Sequence, residues 1–254
     1  MESIESIESI FDISKKEEYP GFKIFDKTIR LEKEFSTTDY QVWTDIGWVN
    51  IKKVIRHRCN KKIFRVLTHT GCVDVTEDHS LIKFNLESIK PKDLKVGDSL
   101  LHSFPKRFGP THDTINKIVN INSDTFTAKS KIEAQRIYYS LRNLGFDASI
   151  DTETDDVYTI NKTNFKNEYD VKKIIDKGNT DDYVYDLETE IGRFGAGIGQ
   201  LQAYNTDSVF LKFKYNREDF EMNRRDTFRL ATTCGDNLTE NIFNRKHIEL
   251  EFEK

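Results

Sequence analysis

The chain has 254 residues, 37% of them hydrophobic and 32% charged, a length that holds one or two ordinary domains. Its formal charge of −4 excludes the overall basic excess of a free-standing nucleic-acid binder, so any DNA contact would have to be local. Cys59, Cys72 and Cys234 have no CxxC spacing, no run approaches the roughly 18 to 20 apolar residues of a membrane span, and the start MESIESIESI lacks a basic segment followed by an apolar one; the expectation is a soluble intracellular protein of cytoplasm or nucleus, with neither a disulfide framework nor a structural zinc site.

In chain order, residues 2–10 repeat Glu-Ser-Ile, a low-complexity lead-in that suits a frayed helix or no structure and carries no evident function. From Tyr40 the pattern predicts strands, first in YQVWTDIGWVNIKKVIRHR and then in KKIFRVLTHTGCVDVTEDHSLIKF, with a turn at Thr70-Gly71. IKPKDLKVGDSLL comes next, punctuated by Pro91 and Gly97 and ending in another strand. The clearest helix is KSKIEAQRIYYSLRNLGF. Ser130 and Glu133 form a capping-box signature, Ala134, Ile137, Tyr138, Leu141 and Leu144 line one face, and Gly145 stands where the helix should stop. FDASIDTETDDVYTI reads as two short strands around an acidic turn, and residues 105–180 are richer in charge and Asn than their flanks, which predicts an inserted subdomain or linker. Strand character returns in YVYDLETEIGRFGAGIGQLQAYN; after Thr206 come a strand, the helix-like REDFEMNRRDTFRLATT and a last strand, IELEFEK. Many short strands and few helices predict a mainly β body that is not a sandwich.

Three stretches hold groups able to do chemistry. TEDH, Thr76 to His79, sets a hydroxyl and an imidazole three residues apart, suited to proton transfer at an amide nitrogen; a strand end with a surface histidine is the commoner meaning of those four residues alone. At Asn205-Thr206 an asparagine side-chain nitrogen can attack its own carbonyl carbon, closing an imide and breaking the next peptide bond, although Asn-Thr is also an ordinary turn pair. Asp207-Ser208 precedes VFLKF, and a carboxylate at a strand start can hold a divalent cation but is more often a solvated turn residue.

Taken in order, RVLTHTGCVDVTEDHSL, LKVGDSL and VYDLETEIGRFGAGIGQLQAYN followed by Thr closely resemble the successive motifs of an intein, the self-splicing element also called a HINT domain. TDSVFLKF resembles the segment directly after Tyr-Gly-Asp in the Tyr-Gly-Asp-Thr-Asp-Ser motif of family B DNA polymerases, and NIFNRKHIELEFEK resembles the polymerase palm downstream of it. The resemblances cover residues 35–205 and 206–254, so two proteins meet between Asn205 and Thr206. They imply a mainly β, horseshoe-like HINT fold with a small α/β insert, then a short α+β palm fragment. The implied segments are 1–104, the first part of the splicing domain without its opening strand; 105–180, an insert resembling the degenerate remains of a homing endonuclease; 181–205, the C-terminal splicing motif; and 206–254, the C-extein.

The activity the resemblance implies is autocatalytic, single-turnover protein splicing that restores a family B DNA polymerase. An intein begins with a Cys, Ser or Thr nucleophile that converts the preceding amide into an ester or thioester. Met1 has only a thioether, and the first recognisable motif, around Trp43 to Val49, resembles the segment after the opening strand. The expectation is a C-terminal intein piece whose partner is a short N-intein on the N-terminal polymerase fragment. By resemblance, His79 protonates the leaving amide nitrogen at the upstream junction, Thr76 helps orient it, Asp186 helps activate the nucleophile Thr206, and Asn205 cyclises to free the intein. The family commonly has a histidine before the terminal Asn and another two residues before the aromatic of the RFGAG-like segment; here Tyr204 and Gly192 stand there. Arg193 or the Tyr204 hydroxyl are then candidate accessory donors to the scissile carbonyl, unless both are structural. Splicing itself needs no cofactor and no metal. The absence of a LAGLIDADG-like motif implies no DNA cleavage. After splicing, Asp207 would bind the polymerase's magnesium, and only then would DNA be a partner. The competing readings are a splicing-impaired or N-terminally truncated insert in a polymerase fragment, and a β-rich binding module with accidental motifs.

Overall fold

The computed structural model describes residues 4–18, 22–24, 27–29, 33–105, 119–152, 157–163 and 169–205. The chain divides into two units, Met1–Asp207 and Ser208–Lys254, and every described residue lies in the first. Thr206, Asp207 and the elements expected after them lie outside the described residues.

Strand dominates, as the short alternating runs predict. Helix α1 (Ile7–Ile13) is followed by β1 (Lys15–Glu18), β2 (Phe22–Ile24), β3 (Lys27–Ile29), β4 (Lys33–Thr37), β5 (Gln41–Thr44), β6 (Gly47–Arg58), β7 (Lys61–Thr68), β8 (Cys72–Thr76), β9 (Leu81–Ile82) and β10 (Ser88–Ile89). Then come β11 (Thr125–Ala128), helix α2 (Lys131–Asn143), β12 (Asp147–Thr152), β13 (Tyr158–Thr163), β14 (Val171–Thr180), β15 (Tyr183–Thr189), β16 (Arg193–Ala196) and β17 (Leu201–Tyr204). Among the described residues one sheet runs β1-β4-β6-β15 with β5 paired to the start of β6, a second runs β10-β9-β17-β16, and a third runs β14-β7-β8. β11-β13-β12 form a separate small sheet against which α2 packs.

Helix α2 begins where its capping box predicts: Ser130 Oγ accepts the Glu133 N–H at 3.2 Å, and Glu133 Oε2 accepts the Lys129 N–H at 2.8 Å. It ends before Gly145, whose φ of +85° is the left-handed conformation that stops a helix. Of residues 105–180, the described residues 119–152 and 157–163 hold α2 and its three strands. Val171–Thr180 instead pairs antiparallel along β7. The turn at Thr70-Gly71 joins β7 to β8 as expected, closed by the Thr68 N–H to Gly71 carbonyl bond at 2.9 Å.

Hairpin β7–β8 lies between two cores. Leu67 and Cys72 pack with Tyr138, Leu141, Ile150 and Ile160 of the α2 subdomain, while Val66 and Val73 pack with Val54, Leu81, Leu187 and Phe194 on the other side. Alternation along each strand supplies both faces. Arg65, opposite Asp74 in the register, is 2% exposed and therefore needs a counter-charge. Asp74 provides it through two bonds of 2.7 and 2.8 Å, and Lys131 of α2 and Lys177 of β14 reach the same carboxylate. Burial alone would raise the Asp74 pKa; Arg65 and Lys131 reverse that and hold it well below the usual carboxylate range.

The lead-in, expected to be frayed or unstructured, is a capped helix docked on the largest sheet. Ser6 Oγ accepts the Ser9 N–H at 3.0 Å, and Phe11 is fully buried. The Arg56 guanidinium lies between the Phe11 and Tyr183 rings, 4.3 and 4.6 Å from their centroids. A seven-residue helix is unstable alone, so packing of Phe11 decides the outcome rather than the repeat. Replacing Phe11 by Ala is expected to lower the unfolding free energy by about 3–5 kcal/mol, measured by urea denaturation; an unchanged midpoint would place α1 outside the cooperative unit.

Candidate functional site

The last described strand, β17, runs between β9 and β16. Leu201, Gln202 and Ala203 are buried, and Asn205, just beyond the strand, is only 8% exposed. Arg193 pairs with Tyr204, Phe194 with Ala203, and Ala203 with Leu81 on the other side. The Tyr204 N–H donates to the Ser80 carbonyl at 3.0 Å, and the Asn205 N–H to the Gly192 carbonyl at 3.0 Å. Two motifs separated by more than a hundred residues thus meet: TEDH-Ser80 and the Tyr204-Asn205 chain segment.

The backbone leading into β17 is held at close range. Cys72 and Ile198 exchange N–H to carbonyl bonds of 2.8 and 2.9 Å, and a Cβ at Gly197 or Gly199 would collide with the carbonyl oxygens of Cys72 or Thr70. Both glycines have positive φ, +64° and +89°, so their type is fixed by conformation as well as by space.

The Thr76 hydroxyl donates to Asp78 Oδ1 at 3.0 Å, so its side chain serves Asp78, while its carbonyl accepts the His79 N–H at 3.1 Å. Asp78 is partly buried, which favours its neutral form, yet bonding to Lys61 and Thr76 lowers its pKa below the usual carboxylate range. His79 presents its ring edge-on to Phe194 with centroids 6.4 Å apart. Asp186 lies on β15, opposite Ile55 in the largest sheet, and its Oδ1 accepts the Leu187 N–H at 2.8 Å; it is in a different sheet from β17. Arg193 donates through Nε and Nη2 to Asp45 at 2.6 and 3.0 Å, a forked pair that raises its pKa. The Tyr204 hydroxyl reaches the Leu86 carbonyl at 3.4 Å. Both expected accessory donors therefore have partners of their own.

His102 is invisible to motif reading, because SLLHSF carries no recognisable spacing. It is 6% exposed and stacked on Tyr169 at 5.0 Å. Nδ1 lies 3.0 Å from the Gly199 carbonyl, which can only accept, so Nδ1 carries the proton and Nε2 accepts the Thr68 hydroxyl at 3.2 Å. The neutral ring ties β7 to the turn before β17. Among the described residues no cluster of His, Cys, Asp or Glu could hold a metal ion, and no helix is long and apolar enough to cross a membrane.

No family model matches the chain. It is 30% identical to a DNA polymerase of Acanthamoeba polyphaga mimivirus over 82% of its own length and 20% of that protein's. It is 41% identical to a DNA polymerase of Thermococcus litoralis over 24% of its length, and 51% identical to that of Thermococcus hydrothermalis over 19%. The chain spans about a fifth of the mimivirus protein and 4% and 3% of the other two. Among solved structures it is similar to the transcription factor IIB Mvu mini-intein, at 20% identity over 78% of this chain and 85% of that one with a TM-score of 0.41. It is likewise similar to an intein from a hyperthermophile, at 10% identity over 79% and 88% with a TM-score of 0.42.

Burial pushes the His102 pKa down to about 4. The unfolded ring takes up a proton near pH 6.5, so the stabilising effect of the neutral buried ring is present above that value and is lost as pH falls toward the folded value. Between pH 7 and 4.5 this site should remove about 2 kcal/mol of unfolding free energy. In urea titrations at both pH values, His102→Gln should lack that increment; an equal loss in both proteins would refute the assignment.

Proposed function

We propose that this chain is a protein-splicing element inserted in a DNA polymerase, and that it excises itself at Asn205-Thr206 and joins its flanks. The observation that carries this reading is the meeting of TEDH with the chain segment ending in Asn205, through the Tyr204 N–H bond to Ser80. The order of the sequence motifs and the similarity to DNA polymerases support it. In the finer form, supported by sequence resemblance alone, a second polypeptide supplies a short N-intein with the first nucleophile. His79 then assists opening of the upstream amide, and Asp186 assists Thr206, whose hydroxyl attacks the resulting ester or thioester. Asn205 closes its imide and releases the intein. The ester left between the flanks rearranges to the more stable amide. Splicing requires no metal, whereas magnesium held by Asp207, and DNA, belong to the rebuilt polymerase.

The alternative is a splicing-impaired insert. It is favoured by the engagement of Arg193 by Asp45 and of Tyr204 by Leu86, at positions flanking Asn205. One experiment separates the two. The chain is mixed with a polymerase fragment ending in a short N-intein, and mass spectrometry is expected to detect joined flanks and a free intein of imide mass. Asn205→Ala should abolish release yet leave a branched ester at Thr206. Neither product from the unaltered pair would identify the impaired insert.

A further inference from the structure

The register of the second sheet, carried one residue past the β16–β17 pairs and two past the single β9–β17 pair, brings the chain at Gly192 and the chain at His79 to opposite sides of Asn205. Ala203 stands between Phe194 and Leu81, and the bonds from Tyr204 to Ser80 and from Asn205 to Gly192 continue both ladders. Residues two apart on a strand share a face, so the row of Asn205 projects with Phe194, Ala203 and Leu81. The edge-on contact between the His79 and Phe194 rings agrees with that placement. The intervening row, Arg193, Tyr204 and Ser80, projects to the opposite face, where Arg193 meets Asp45. On one side of Asn205 there is no side chain, since a Cβ at Gly192 would come within 3.3 Å of Asn205 Oδ1. On the other side runs the His79-Ser80 segment, its Ser80 carbonyl bonded to the Tyr204 N–H and its His79 ring against Phe194. His102 is committed to Thr68 and Gly199.

We propose that His79 acts at both ends of the reaction: besides the upstream junction, it is the proton-transfer group for cyclisation of Asn205. This rests on the splicing reading. Asn205 Nδ2 forms a bond to the Asn205 main-chain carbonyl carbon while the neutral imidazole takes a proton from Nδ2. The bond from that carbon to the nitrogen of residue 206 then breaks, its electron pair staying on nitrogen, and the imidazolium returns the proton there. The imidazole ends neutral, and the products are a C-terminal imide and a free amine; no other reactant is consumed. A single histidine in this role makes side chains at 192 and 204 dispensable for this step.

The test uses the full 254-residue chain and its own cleavage after Asn205, read by mass spectrometry as an imide-terminated fragment, with the urea-unfolded chain as background. The folded chain should exceed background, and His79→Gln should slow cleavage about 100-fold or more, with the unfolding midpoint unchanged. His79→Gly should recover part of the rate when imidazole is added, a response that a merely structural histidine would not give. Cleavage by His79→Gln at the full rate would overturn the double role and leave splicing standing. A folded chain no faster than background would overturn the double role, while splicing itself is decided by the mixed pair of fragments. If His79→Gln shifts the midpoint, failure of imidazole to rescue His79→Gly refutes the proposal.

Discussion

The arrangement depends on a backbone contact with no room for side chains. The turn joining β7 to β8 lies against residues 197–199, where Cys72 and Ile198 exchange both of their backbone bonds. Glycines at 197 and 199 permit the approach, and the His102 ring locks it by bonding Gly199 and Thr68 together. That contact fixes where β17 begins. Since β17 is only four residues long, its start determines where Asn205 lies.

The same hairpin is buried on both faces, which explains the charge inside it. Replacing a buried ion pair by apolar groups is often neutral or stabilising, so the Arg65–Asp74 pair is better understood through what it holds together. Asp74 collects cations from β7, α2 and β14, and Arg65 lies over the Tyr158 ring of β13. The α2 subdomain is thereby attached to the hairpin whose far end turns into TEDH. Residues that read as an appendage in sequence help hold the strand carrying Thr76.

Two histidines illustrate how burial divides structure from chemistry. His102 has both ring nitrogens engaged and is almost excluded from water, which favours the neutral form of the ring. His79 is half-buried at the end of a turn, one residue before Ser80, whose carbonyl accepts the Tyr204 N–H. By residue type the two are equivalent. Their surroundings commit one to holding backbone and leave the other partly open to solvent.

The amino-acid sequence by itself determined the mainly β character, the α2 boundaries and the β7–β8 turn, because alternation, a capping box and glycine act within a few residues. Its motif order also singled out His79 and Asn205. It did not determine α1, β1 or β4, whose short segments acquire their form by packing on β6 and β15 or by pairing in their sheet. Nor did it disclose that Arg193 belongs to Asp45, that His102 is structural, or that Ser80, next to His79, bonds the strand leading to Asn205. Those relations join residues 34 to 148 positions apart. Only the tertiary structure could decide them, since strand register and burial set which side chains share a face, and neither is encoded in any local stretch.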